Sequence, residues 1–272
     1  MSVEMPTGIK IHEYQCGLLP GAVGEYVASG HQVLVQTSAG NATAADDDAY
    51  LAKGAIIAAD AAELLAKANM IVEIKDPQSA EWAQLREGQI LVAYLRLAPY
   101  PEQTKGPAAS NATCVAHEAV VDANGGLPLL EPMSKFAGPV AIEAAATSLR
   151  RISGGPGLLI GVVPGVQRAR SVALGGGVVG ADAGRIDDIN HYCVVNVPGT
   201  VSLTSSHVLN NATLAHGLAL AADGLEAIAS FSGLIAELNV HRGRITNRAV
   251  ADSLGSGWTP GLDAIAARSS AQ

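Results

Sequence analysis

Apolar and polar residues along this chain follow a helical period and a strand period in turn. In "GAVGEYVASG", Gly21–Gly30, the residues Val23, Tyr26 and Val27 share one face of a helix that stops at Gly30. "HQVLVQT" follows as a short β-branched strand, and the acids of "DDDAYLAKGA" suit a helix N-terminus. "AAELLAKANMIVEIKDP" reads as a helix feeding a buried strand, Met70–Ile74, with Lys75 at its carboxyl end just before Pro77. "REGQILVAYLRLAP" repeats the pattern, its strand Ile90–Leu95 ending at Arg96 and Leu97. "NATCVAHEAV" sets another strand ahead of His117 and Glu118. This alternation predicts an α/β fold with a parallel sheet. Ligands of such sheets gather beyond the carboxyl ends of the strands, which marks Lys75, Arg96 and the pair His117–Glu118.

Further on, "SKFAGPVAIEAAATSLRR", Ser134–Arg151, predicts a long helix that Pro139 kinks or opens. The tail from Ser205 to Leu254 reads as helical, with "HRG" as a turn. The last residues, "GSGWTPGLDAIAARSSAQ", are expected to be loosely held.

With 272 residues, 49% of them hydrophobic and 15% charged, the chain has ample core for one large domain or two small ones. Its net charge of −8 is spread along the sequence and argues against nucleic acid or an anionic membrane as partner. No apolar run reaches the roughly 18 residues of a membrane span, since "GLLIGVVPGV" is broken by Pro164. The N-terminus lacks the basic-then-apolar pattern of a secretory signal. Cys16, Cys114 and Cys193 are far apart and in no metal-ligand spacing, which points to a reducing cytoplasm. No carboxylate pair suggests glycosidic chemistry, and no cluster suggests a metal. His12, His216 and His241 read as solvated or capping, and His191 and Cys193 as members of a core strand.

One motif invites a cofactor. In "SVALGGGVVGADAGRIDDINHYCVVNVPG", Gly175, Gly177 and Gly180 fit G-x-G-x-x-G after an apolar strand. Such glycines permit a tight turn, the close approach of a pyrophosphate, and helix–strand packing. The full fingerprint also needs a helix of several turns, a second strand, and an acid about 20 residues on. Here "ADAGRIDDIN" alone separates Gly180 from His191, room for two helical turns at most. Pro198 and Gly199 stand where the acid is required, and Asp187 and Asp188 come too early. This shortage argues against ordinary dinucleotide binding.

The blocks "VVPGVQRARSVALGGGVVGADAGRI" and "HYCVVNVPGTVSLTSSHVLNNATLAHGLALA" resemble the alanine dehydrogenase family, shared with the pyridine-nucleotide transhydrogenase α subunit. So do "GHQVLVQTSAG", "ANMIVEIKDP", "REGQILVAYLRLA" and "LPLLEPMSKFAG", and the similarity runs from residue 8 to 253. The resemblance implies NAD-dependent interconversion of L-alanine with pyruvate and ammonia. It implies a substrate domain made of both chain ends, with a Rossmann domain between. It also implies that Ser171–Gly199 spans a junction where much of that Rossmann domain is absent, along with the ribose-binding acid and a catalytic aspartate.

Within the resemblance, the family's substrate lysine matches Lys75, its histidine in "YLH" falls on Arg96, and its N-terminal arginine falls on Gln15. The tyrosine–glutamate pair of the next strand becomes His117–Glu118, while Asn196, Met133 and Ser134 are kept. Histidine exchanges a proton near neutral pH and a guanidinium does not, although it clamps a carboxylate well. Arg96 is therefore expected to compensate for the arginine absent at Gln15, keeping anion binding and losing proton transfer. The plainer readings stay open: Lys75 as a surface lysine at a strand end, Arg96 in an ion pair with Glu118, His117 as a hydrogen-bonded imidazole in place of a replacement base.

The expectation is an α/β chain with a parallel-sheet substrate domain over residues 1–133 and 200–272 and a truncated Rossmann-like nucleotide-binding remnant over 134–199. Gln15, Lys75, Arg96, Met133 and Asn196 would bind a small amino or 2-oxo acid, and Lys75, Arg96 and His117 would carry any catalysis. Ser134, Gly175, Gly177 and Gly180 would be a vestigial NAD site, with hydride transfer impaired or absent. Alternatives are an active enzyme completing its site through another subunit, a recruited non-redox enzyme on a small amino or imino acid, or an oligomer partner of a full-length homologue. A homo-oligomer or such a hetero-oligomer in the cytoplasm is the expected state.

Overall fold

A computed structural model describes residues 1–10, 12–122, 124–160, 164, 184–186, 189–191, 196–230 and 232–267. Gly175, Gly177, Gly180, Asp187, Asp188 and Cys193 lie outside the described residues. The chain forms two compact units, Met1–Pro132 with Ser202–Gln272, and Met133–Val201.

The first unit opens with β1 (Ser2–Met5), α1 (Pro20–Ala28), β2 (Gln32–Gln36), α2 (Asp47–Leu51), β3 (Ile56–Ala58), α3 (Ala61–Lys67) and β4 (Met70–Lys75). It continues with α4 (Ser79–Trp82), β5 (Ile90–Tyr94), α5 (Pro101–Ser110) and β6 (Thr113–Ala116). The sequence signals act as expected. Pro20 occupies the first turn of α1, where its missing N–H costs nothing, and Gly30 follows its end at φ +83°. Asp46 caps α2 by accepting from the Ala49 N–H, and Asp60 caps α3 through Glu63.

The second unit contains most of α6 (Glu131–Leu149), which runs through Pro139, and the strands β7 (Gly184–Ile186) and β8 (Ile189–His191). These two pair antiparallel, Arg185 with Asn190 and Ile186 with Ile189. The segment after Gly180, with room for two helical turns at most, carries this strand pair, and only three residues separate Gly180 from its first strand.

The chain then returns to the first unit with α7 (Ser202–Asp223), α8 (Leu225–Ser230), α9 (Ser232–Glu237), β9 (Leu238–His241), β10 (Arg244–Ile245), α10 (Arg248–Leu254) and α11 (Gly261–Ala266). Among the described residues the sheet has eight strands in the order β10-β9-β6-β5-β4-β1-β2-β3. All neighbours from β6 to β3 are parallel, while β9 pairs antiparallel with β6, and β10 with β9. The tail thus bends around "HRG" as a hairpin that extends the sheet, not as a turn between helices. His241 is buried in β9 and bonds Thr113 Oγ1 at 2.9 Å, which corrects its reading as solvated or capping. Within the expected loose tail, the described residues are held: Trp258 Nε1 donates to Thr246 O, Thr259 N to Ile245 O, and Ala264 is buried.

Successive strand residues enter opposite faces of the sheet. Val3, Met5, Val33, Val35, Met70, Val72 and Val92 pack with α1 and α7, while Ile71, Leu91, Ala93 and Cys114 pack with Leu65, Trp82 and Val250. Covered on both sides, the strands are nearly continuous in apolar residues, as parallel sheets require. Among the described residues no helix is long and apolar enough to cross a membrane.

One core residue is an acid. Glu4, between Val3 and Met5 in β1, is fully buried; Oε1 accepts from Ser2 Oγ at 3.1 Å and Oε2 has no partner among the described residues. Burial pushes its carboxyl up to about 7, against the Ser2 bond and the charges of Lys67 and Arg86. A carboxyl raised on folding ionises first in the unfolded chain, so stability falls between about pH 4.5 and 7, with the full loss above that. Glu4→Gln should therefore be more stable than the parent at pH 8 and nearly equal to it at pH 4. Urea midpoints at the two pH values measure this; an equal effect at both would contradict it.

Candidate functional site

In the order β3-β2-β1-β4-β5-β6, the connections reverse direction between β1 and β4. Neither crossover helix covers the crevice at the carboxyl ends of these two strands, where doubly wound sheets hold ligands. A cleft opens there, between the loop 6–17 that follows β1 and residues 73–76 at the end of β4, with Glu81 of α4 at its side. It encloses about 20 Å³ of free space, room for one water molecule.

Two backbone features shape it. Gly17 lies so close to β4 that a Cβ there would meet the Val72 carbonyl oxygen at 2.7 Å, so the loop can pass only because the residue is glycine. Between Val72, which pairs with Val92, and Lys75, which pairs with Tyr94, β4 carries one residue more than β5. Such a bulge re-aims the side chains that follow it, and here they line the cleft.

Gln15 and Lys75, both expected from the sequence, meet in this cleft. Gln15 is 6% exposed, and neither its Oε1 nor its Nε2 has a hydrogen-bond partner among the described residues. A buried amide left unmatched costs about 1–3 kcal/mol per group. Lys75 has no hydrogen bond or ion pair among the described residues. Burial lowers its pKa; Glu13 and Asp76 oppose this, while the positive charges of Lys10 and Arg96 add to it. Lys10 Nζ, by contrast, is bound to Asp76 Oδ1 at 2.5 Å, with Asp76 fully buried and Lys10 partly exposed.

Two further acids complete the lining. Burial, with Glu81 and Asp76 nearby, holds the Glu73 carboxyl well above the usual range. Burial also raises Glu81, against the N–H groups of Gln78 and Ile9 that bind it. The sequence reading missed Lys10, Glu13, Glu73, Asp76 and Glu81. Their signal was position alone, at the end of a strand whose neighbour β1 is only four residues long.

Arg96 follows β5 in the left-handed region, φ +50°, an unusual conformation for a non-glycine residue. The Glu118 carboxylate holds it there: its oxygens accept from the Arg96 N–H at 2.5 Å and the Leu95 N–H at 3.2 Å. Burial raises the Glu118 carboxyl while these N–H groups pull it down. The guanidinium lies 5.6 Å from the Tyr100 ring centre and, among the described residues, pairs with no acid. Glu118 thus grips the backbone of Arg96 and leaves its charge available.

His117 is placed differently. It is 3% exposed, does not line the cleft, and its Nδ1 stands 3.6 Å from Glu237 Oε2. Glu237 is fully buried and its other oxygen bonds His216 Nδ1 at 2.8 Å, so the acid sits between two imidazoles. The Tyr94 ring meets His117 edge-on at 5.5 Å. In the second unit, Asn196 Oδ1 accepts from the Gly199 N–H, Met133 is buried in α6, and Ser134 is exposed. Among the described residues no group of His, Cys, Asp and Glu side chains could hold a metal ion.

Comparison with known proteins now adds to this geometry. A model of the alanine dehydrogenase/PNT N-terminal domain matches residues 4–137, and one of the C-terminal domain matches 141–186 and 184–248. The chain belongs to the alanine dehydrogenase/PNT family. An alanine dehydrogenase of Halomonas elongata is 33% identical over 360 aligned residues, covering 94% of this chain and 97% of that one. With 272 residues here, part of that relative has no counterpart in this chain. An alanine dehydrogenase of Methanococcus maripaludis is 41% identical over 186 residues, 68% of this chain and half of that one. A solved L-alanine dehydrogenase superposes with a TM-score of 0.84 at 24% identity, over 94% of this chain and 99% of that one. The family fold is therefore an α/β fold, as expected from the sequence.

The Arg96–Glu118 arrangement can be tested directly. Glu118→Ala removes the acceptor of two backbone N–H groups and should cost about 1–3 kcal/mol of stability. Arg96→Gly, which adopts positive φ without strain, should recover part of that loss when combined with it. Denaturant midpoints of both variants and the parent decide; an unchanged midpoint for Glu118→Ala would contradict the role assigned to Glu118.

Proposed function

We propose that this alanine dehydrogenase-like chain binds a small amino or 2-oxo acid, of the alanine and pyruvate class, in the cleft between β1 and β4. The observation that carries this reading is the meeting of Lys75 and the unmatched Gln15 amide at the crevice where the sheet reverses. Lys75 faces the ligand in this cleft, and Arg96, which follows the adjacent β5 and lies outside the cleft's lining, reaches in to hold the carboxylate, standing in for the arginine that the family places at position 15. The Gln15 amide offers both a donor and an acceptor to the carbonyl or amino group of the same ligand. A three-carbon acid needs more than one water's volume, so the partly exposed Lys10 swings off Asp76 to admit it.

Hydride transfer to NAD is impaired or absent in this reading. A dinucleotide would need a helix of several turns after the third glycine, and β7 begins at Gly184, four residues past Gly180. That short spacing supports the loss of the cofactor site. A guanidinium at position 96 also cannot take and return the proton that amine oxidation releases. NAD dependence belongs to the family; its retention here is the question to measure.

Isothermal titration with pyruvate and with L-alanine tests the binding. The parent should bind at least one of the two, and Arg96→Ala should lose binding at least about tenfold, as expected for removal of a charge-assisted pair. Unchanged affinity in Arg96→Ala would overturn the assignment of Arg96. Saturable NADH binding together with reductive amination of pyruvate would overturn the proposed loss of hydride transfer and favour a cofactor site completed by another subunit.

A further inference from the structure

We infer that Lys75 forms a covalent imine with a 2-oxo acid held in the cleft, which gives the chain a redox-independent activity: exchange of the protons on the carbon next to the carbonyl. This rests on the reading that the cleft takes a 2-oxo acid.

Three observations support it. The Lys75 amine lines the cleft with no hydrogen bond or ion pair among the described residues, while the neighbouring Lys10 is tied to Asp76 at 2.5 Å. Nucleophilic lysines are made from amines that are desolvated or set beside another cation. Burial lowers the Lys75 pKa, the charges of Lys10 and Arg96 add to this, and Glu13 and Asp76 oppose it without reversing it. Lastly, the same cleft is lined by Glu73 and Glu81, acids that burial keeps protonated longer than ordinary carboxyls. A clamp that merely attracted a carboxylate would not need proton donors beside it. Imine formation does.

The step balances without oxidant or reductant. The neutral Lys75 nitrogen attacks the carbonyl carbon, and its proton passes to the carbonyl oxygen to give a carbinolamine. A lining carboxylic acid, Glu73 or Glu81, then protonates the hydroxyl, water leaves, and an iminium remains opposite the new carboxylate. That carboxylate removes a proton from the adjacent carbon to give the enamine and regains its acid form. Reprotonation from solvent and hydrolysis return the 2-oxo acid and the free amine. Arg96 holds the substrate carboxylate throughout and exchanges no proton.

The test uses the intact chain with pyruvate. Borohydride added to the mixture should fix one reduced three-carbon adduct per chain, mapped by mass spectrometry to the peptide carrying Lys75. In deuterated water the pyruvate methyl signal should decay with the protein present, and Lys75→Arg should return this to the protein-free rate. Circular dichroism confirms that Lys75→Arg keeps its fold. Parent peptide mapping needs no variant, and an adduct on Lys10 or another lysine would overturn the assignment. Pyruvate binding by titration without adduct or exchange would overturn the imine and leave the binding reading standing. Absence of any pyruvate binding would overturn both.

Discussion

The pairing of β1 with β4, Val3 beside Met70 and Glu4 beside Ile71, is the constraint on which the rest of the first unit depends. Strands added outward from this pair run β2, β3 on one side and β5, β6 on the other, so the crossover helices leave in opposite directions and the crevice between them stays open. The loop after β1 falls into that crevice because Gly17 permits contact with the β4 backbone at Val72. A short strand that buries a carboxyl group at its centre is a weak start for a sheet. It holds because Val3 and Met5 are fully packed on the other face and the strand is bonded on both sides.

The cleft gathers charge at the cost of solvation. Glu73, Asp76 and Glu81 converge with Lys10 and Lys75 where little water reaches, and the groups divide unequally. Lys10 and Asp76 neutralise each other. Burial holds the Glu73 carboxyl well above the usual range and lowers the pKa of Lys75. An acid pushed up and an amine pushed down by burial suit addition to a carbonyl better than simple ion pairing. The His117–Glu237–His216 cluster is separate from this cleft, with each Glu237 oxygen near an imidazole.

Much of this was legible in the residues. The helices α1, α2 and α3 and the strands β2, β4, β5 and β6 carry caps, stops and β-branched runs of their own, and these local signals survive folding unchanged. β1 was not legible, because four residues with Glu4 among them have no period to read. β9 escaped for another reason: Leu238–His241 continues a long helical pattern, and only pairing with β6 makes it a strand. The site divided along the same line. Lys75 and Arg96 were visible as strand-end residues, and Gln15 came through family resemblance. The acids of the cleft depend on β1, and so stayed hidden. His117 sits at a strand end as expected, yet its side chain turns to Glu237, a residue 120 positions on.

The central claim is that the crevice between β1 and β4 is where this chain meets its ligand. Hydrogen exchange followed by mass spectrometry, with and without saturating pyruvate, tests it most directly. Protection should rise in peptides covering residues 6–17 and 73–81 and stay unchanged in β9 and β10. Protection confined to other segments, or no change at a pyruvate concentration shown to saturate the protein, would contradict the claim.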